Sequence, residues 1–173
     1  MKKFLLLFLL FMSLYGKDDL FFLPKDGKQA EKKMVYLFSH ANQNIKIAIY
    51  TFTNKKFARA IKKAAARGID VYIIADYESN KNQKHGSVIP ILKKLRHINV
   101  KLINGAGSNK YKGIMHMKLF IVDDIYVGFG SANYTYSAFH KNYEILYIND
   151  DWTFTKKFVD IFNQLYSMQR FKF

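Results

Sequence analysis

Between Asn44 and Asp76 the chain reads as a strand, a helix and a second strand, and no other stretch limits the fold as tightly. Asn44–Phe52 is β-branched, aromatic and mostly apolar, the composition of a strand buried on both faces. Asn54 stands where a helix N-cap belongs, and Phe57, Ala58, Ile61 and Ala65 recur at helical spacing through Arg67. Gly68 follows, suited to the left-handed backbone that ends a helix. Asp70–Ala75 is again β-branched and closes on Asp76. This order predicts parallel pairing through a right-handed crossover. The fold class is therefore α/β: a mixed, largely parallel β-sheet flanked by helices on both faces.

The remaining elements extend that unit. Leu20–Leu23 reads as a first strand stopped by Pro24. Asp26 is placed to cap a helix whose stripe is Ala30, Met34, Leu37, Phe38 and Ala41. Ser87 is expected to cap a helix through Leu95, and Val100–Ile103 and Tyr143–Ile148 have strand character. Asp151 is expected to start a final helix with Phe154, Phe158, Ile161, Phe162 and Leu165 facing inward. Neither a linker nor an internal repeat interrupts residues 17–173, so that span is read as one domain.

The first sixteen residues differ in kind. Lys2 and Lys3 precede the apolar run Phe4–Met12, which is followed by Ser13-Leu14-Tyr15-Gly16. A basic start and a short apolar stretch make 1–16 a signal peptide, and the run is too short for a membrane span of about 20 residues. Leu14 fits poorly with cleavage after Gly16, so an uncleaved anchor stays open. Export is expected, with the periplasm as the compartment and membrane attachment as the alternative. Cleavage would remove Lys2 and Lys3 and bring the net charge from +15 to +13. The chain has no cysteine, which excludes disulfides and thiolate metal sites.

Chemistry concentrates in His116–Asn133. In Met115–Val122 alternation puts Met115, Met117, Leu119 and Ile121 on one face and His116, Lys118 and Phe120 on the other. An imidazole and an ammonium thus share one side of a strand, and Gly130-Ser131-Ala132-Asn133 ends the next strand beside them. The pattern His116-x-Lys118-x4-Asp123-x6-Gly130-Ser131-x-Asn133 resembles the HKD motif of the phospholipase D superfamily, in full and with the family's spacing. The strand–helix–strand unit ahead of it agrees with the phospholipase D/nuclease fold.

The resemblance implies phosphodiester chemistry through a phosphohistidine. His116 would be the nucleophile. Lys118 and Asn133 would hold the phosphate oxygens with help from Ser131, and Gly130 would permit close backbone approach. Glu144 matches the acidic residue that accepts a hydrogen bond from the nucleophile's other ring nitrogen and fixes its tautomer. Asp123 reads as structural rather than as the general acid. The family takes its second histidine from a second motif, yet His40, His85, His97 and His140 all lack the following Lys. A homodimer sharing one active site is implied, as in the short bacterial nucleases of the superfamily; a monomer using His140 as acid is the competing reading. No metal or other cofactor is expected, because the carboxylates are scattered and no histidine pair has ligand spacing.

The 28 Lys and Arg against 13 Asp and Glu favour a polyanionic partner. Nucleic acid, DNA or also RNA, is the first expectation, with Tyr111, Tyr134, Tyr136 and Phe139 as candidates to stack on unpaired bases or simply to pack the sheet edges. Lys110 and Lys112 lie in a Gly-rich loop that would overhang His116. A phospholipase or phosphatidyl transferase is the alternative, and a non-catalytic DNA-binding envelope protein a third.

Overall fold

The computed structural model describes residues 18–83, 86–107 and 113–168. Residues 1–16, expected to be a signal peptide, and Lys84, His85, Lys110, Tyr111 and Lys112 lie outside the described residues. Seven strands form one sheet: β1 (Asp18–Leu23), β2 (Asn44–Ile49), β3 (Asp70–Asp76), β4 (Ile98–Ile103), β5 (Lys118–Val122), β6 (Tyr126–Gly130) and β7 (Glu144–Asn149), in the spatial order β1-β7-β6-β5-β2-β3-β4. The α/β class and the mixed sheet are as expected. Among the seven strands, parallel pairing is confined to β2, β3 and β4, which are joined by helical crossovers. The other pairings are antiparallel, including the β5–β6 hairpin, a smaller parallel share than the strand–helix–strand unit implied.

Helices cover both faces. On one lie α1 (Gly27–Ser39), α2 (Lys55–Ala66) and the short α5 (Tyr136–His140); α6 (Trp152–Ser167) lies on the other. Two further short helices, α3 (Tyr77–Asn80) and α4 (Ile89–Leu92), follow β3. Asn54 caps α2, its side chain accepting from Lys56 N at 2.8 Å and Phe57 N at 3.4 Å. The helix buries Phe57, Ala60, Ile61, Ala64 and Ala65 and stops before Gly68, whose φ is +91°. Asp151 caps α6 through Phe154 N at 2.7 Å.

Three local expectations change. Asp26 does not cap α1; its carboxylate turns back to accept from Phe22 N at 3.0 Å, tying β1 to the turn after it. The helix expected from Ser87 to Leu95 shortens to α4, with Ser87 Oγ still accepting from Ile89 N at 3.3 Å. Ile161 is half exposed, because the inward line of α6 runs through Phe154, Phe158 and Phe162 at intervals of four.

The alternation in the motif strand holds. Leu119 and Ile121 join Met115, Val127 and Phe162 under α6, whereas Phe120 enters the opposite core with Phe38 and Phe57. Phe120 also explains Gly128 across the hairpin: a Cβ there would lie 2.1 Å from the Phe120 ring.

Candidate active site

His116 precedes β5 by two residues, and Lys118 is its first member. His116 is exposed and Lys118 buried. Tyr50, just past β2, organises the pair: its ring centroid is 4.8 Å from that of His116, and Lys118 Nζ stands 5.4 Å above the same ring. Tyr50 N also donates to Met117 O at 3.0 Å, and Lys118 Nζ donates to His116 O at 2.7 Å. Burial pushes the Lys118 ammonium below its ordinary pKa, and the negative charge of Glu144 opposes that shift.

The segment from Tyr50 to Phe52 brings in the second half of the motif. Thr51 N donates to Asn133 Oδ1 at 3.3 Å, and Tyr134 N donates back to Thr51 O at 3.1 Å. That leaves the Asn133 Nδ2 group without a protein acceptor among the described residues, ready for an anion. Ser131 Oγ donates to Glu144 Oε2 and accepts from Ile145 N at 3.1 Å. Gly130 is required here by the neighbouring strand, since a Cβ would lie 2.1 Å from Ile145 O. The close approach read from its sequence position is thus an approach of β7.

One expected pairing, Glu144 with His116, is not formed within this chain, whereas Asp123 takes the structural place read for it. Glu144 is engaged by the Ser131 hydroxyl and by Asn142 Nδ2 at 3.5 Å, and the imidazole of His116 makes no hydrogen bond among the described residues. Within this chain Glu144 therefore orients Ser131 and supports the charge on Lys118. Asp123 is structural. It sits at φ +57° in the β5–β6 turn, and its carboxylate accepts the backbone N–H groups of Asn42, Gln43 and Asn44 at 2.7–3.2 Å. It ties the end of the hairpin to the start of β2, away from the phosphate-binding groups.

His140 is unsuited to act as the general acid. Its Nε2 is buried without a hydrogen bond and lies 3.7 Å from Glu31 Oε1 on α1. The other described histidines are also engaged elsewhere: His40 Nδ1 lies 2.9 Å from Tyr36 O, and His97 Nδ1 2.9 Å from Asp70 Oδ1. Of the described aromatic candidates, Tyr134 and Phe139 pack the core around Phe57, and Tyr136 is exposed.

A supporting layer was not singled out from the sequence. Asp76 is buried, accepting from Ser79 N at 2.9 Å and from Met115 N at 3.2 Å, and so holds the residue before His116. Buried Asn80 donates to Tyr50 O at 2.6 Å and accepts from Ser87 Oγ at 3.0 Å. The available signal was an Asp ending an apolar strand.

The arrangement is an exposed imidazole, a buried ammonium, a free amide and a hydroxyl–carboxylate pair at one end of a sheet. The model of the family described as "Cardiolipin synthase, PLD-like domain" matches residues 34–166. The chain belongs to the phospholipase D-like family. Its fold is similar to that of NucT from Helicobacter pylori, with a TM-score of 0.82 and 42% identity over 86% of this chain and 94% of that one. Nuc from Salmonella typhimurium, described as a phospholipase D family member, shares the fold at a TM-score of 0.69 and 22% identity, over 86% of this chain and 93% of that one. The mitochondrial cardiolipin hydrolase of Xenopus tropicalis is 27% identical over 79% of this chain. The chain spans only 61% of that relative's length and 52% of the human cardiolipin hydrolase. The phospholipase D-like family is one of phosphodiester-bond hydrolases, and of the three HKD positions His116 and Lys118 gather on Tyr50 while Asp123 stands at the far end of the hairpin.

Proposed function

We propose that this phospholipase D-like chain is an exported phosphodiesterase that cleaves nucleic acid, with two copies of the chain completing one active site. The observation that carries the reading is the exposed His116, whose imidazole makes no hydrogen bond among the described residues, beside a buried cation and a free amide, while the other described histidines are held against Tyr36, Asp70 and Glu31. A His116 ring nitrogen attacks phosphorus, the bond to the leaving oxygen breaks, and that oxygen takes a proton from the protonated His116 of the second copy. Water then attacks the phosphohistidine, giving its proton to the second His116 as the P–N bond breaks. Lys118 and Asn133 balance charge on the non-bridging oxygens throughout.

Nucleic acid is favoured by the net charge of +15 and by likeness to NucT along nearly all of both chains. Phospholipid is the second reading, supported by the family model's description and the cardiolipin hydrolase relatives. No helix among the described residues is long and apolar enough to cross a membrane. Residues 17–173 should be assayed on plasmid, single-stranded DNA, RNA and cardiolipin vesicles, with His116→Ala as control and with excess chelator. Nucleic-acid cleavage that survives chelator is expected; lipid turnover without nucleic-acid cleavage would reverse the assignment. Heterodimers of wild type and His116→Ala are expected to be inactive, and half-maximal turnover from them would remove the shared site. N-terminal sequencing of protein recovered from the periplasm tests export.

A further inference from the structure

At the same end of the sheet as His116 lies a basic pocket that the proposed chemistry does not use. The first turn of α2 follows β2, whose last residue pairs with Lys118, and α5 begins three residues after Asn133. Between these elements and the first turns of α1 is a pocket of about 510 Å³ lined by Lys28, Glu31, Lys32, Lys56, Tyr136 and His140. Lys28, Lys32 and Lys56 are exposed. The lone carboxylate, Glu31, is buried and already engaged by Lys56 Nζ and by Asn54 Nδ2 at 3.0 Å. Burial works against its charge, but these partners and the nearby His140 outweigh it and hold its pKa below the ordinary value. The wall is therefore cationic on balance.

Tyr136 stands at the mouth with 61% of its surface exposed, its ring 4.5 Å from that of His140. It is firmly mounted. Thr135 Oγ1 accepts from Ala138 N at 3.1 Å to cap α5, Tyr134 and Phe139 on either side are core residues, and α1 presses so closely that a Cβ on Gly27 would lie 1.7 Å from Phe139 O. Core packing gives no reason for an aromatic ring to face solvent here. A rigid exposed ring beside cations is the combination that receives an unpaired base and its phosphates. Only Tyr134 and Thr135 separate Tyr136 from Asn133, so their Cα atoms are at most about 11 Å apart.

We propose that this pocket is a subsite for single-stranded nucleic acid flanking the scissile phosphate, with Tyr136 stacking on an unpaired base and Lys28 and Lys32 holding the adjacent phosphates. The proposal rests on the nuclease reading and deepens it. It makes the enzyme prefer unpaired strands, because a paired base has no free face for Tyr136.

The test compares wild type, Tyr136→Ala, Tyr136→Phe and Lys28→Ala/Lys32→Ala on a long single-stranded oligonucleotide and on bis(p-nitrophenyl) phosphate, which is too short to reach the pocket. Tyr136→Ala is expected to raise KM for the strand about tenfold more than for the small ester, with Tyr136→Phe retaining wild-type behaviour. The lysine pair should make the dependence of log KM on log salt shallower by about 1.4. Equal KM changes on both substrates would overturn the subsite while leaving the nuclease reading intact. Anisotropy of a labelled single strand bound to His116→Ala, with and without Tyr136→Ala, reads the pocket independently of turnover; equal affinities would overturn it as well. A wild-type enzyme that hydrolyses the small ester and cardiolipin vesicles but neither cleaves nor binds the strand would remove both the nuclease reading and the subsite.

Discussion

Asp123 belongs to the family's motif, yet the structure spends it on the backbone, and that assignment can be tested quantitatively. Its carboxylate receives Asn42 N at 3.0 Å, Gln43 N at 2.7 Å and Asn44 N at 3.2 Å. Removing it frees three donors. Asn42 and Gln43 are exposed enough for water to replace part of the loss, so we take about 1 kcal/mol for each donor, the lower end for hydrogen bonds of this kind. Asp123 also occupies left-handed backbone at φ +57°, which Asp and Asn tolerate and which adds about 1 kcal/mol for Ala. Asp123→Ala should therefore cost about 4 kcal/mol, and Asp123→Asn, which keeps one acceptor oxygen and the backbone preference, about 1–2 kcal/mol. With a urea m-value near ~2 kcal/mol/M, the alanine midpoint falls by about 2 M. Equilibrium urea unfolding followed by circular dichroism measures this, alongside phosphodiesterase turnover per folded molecule at low temperature. A wild-type midpoint combined with lost turnover would refute the reasoning and move Asp123 into the chemistry.

Three other perturbations follow from the site. His116→Ala is expected to lower kcat by at least about 10³-fold with an unchanged urea midpoint, since the side chain is exposed and its imidazole makes no hydrogen bond among the described residues. Burial lowers the Lys118 pKa, so its cation is lost at lower pH than that of a solvent lysine, and kcat/KM should fall on the alkaline side before the ordinary lysine range. Lys118→Arg should move that limb upward in a pH–rate profile. The unfolded chain holds this proton more tightly than the native one, so this group's contribution makes stability rise with pH between the two values. Gly130→Ala should cost about 2–3 kcal/mol in thermal or urea unfolding, because its Cβ meets the Ile145 carbonyl and would push β7 from β6.

Much of this molecule follows from short-range pattern. The alternation at Met115–Val122, the Asn54 and Asp151 caps and the glycine after α2 depend only on neighbours a few residues away, and the structure forms all of them. The motif residues are legible for a related reason: phosphodiester chemistry needs an imidazole, a cation and an amide in a repeating local frame. Asp26 and the Ser87–Leu95 helix misled because capping competes with other local uses of the same side chain.

What sequence by itself determined is the strands and the three long helices, the family and the identity of the reactive groups, but not the short helices α3 and α5. The tertiary structure decided which groups meet. Tyr50 became the hub of the site because β2 pairs with β5, placing Ile49 against Lys118 from 69 positions away. Glu144 went to Ser131 because Ser131 N–H and Oγ both bond the Ile145 backbone as β6 ends against β7. His140 was withdrawn from the chemistry, and Tyr136 presented beside it, because α5 docks on α1 and sets the imidazole against Glu31. Each outcome rests on contact between elements far apart in the chain, where periodicity carries no information and packing makes the choice.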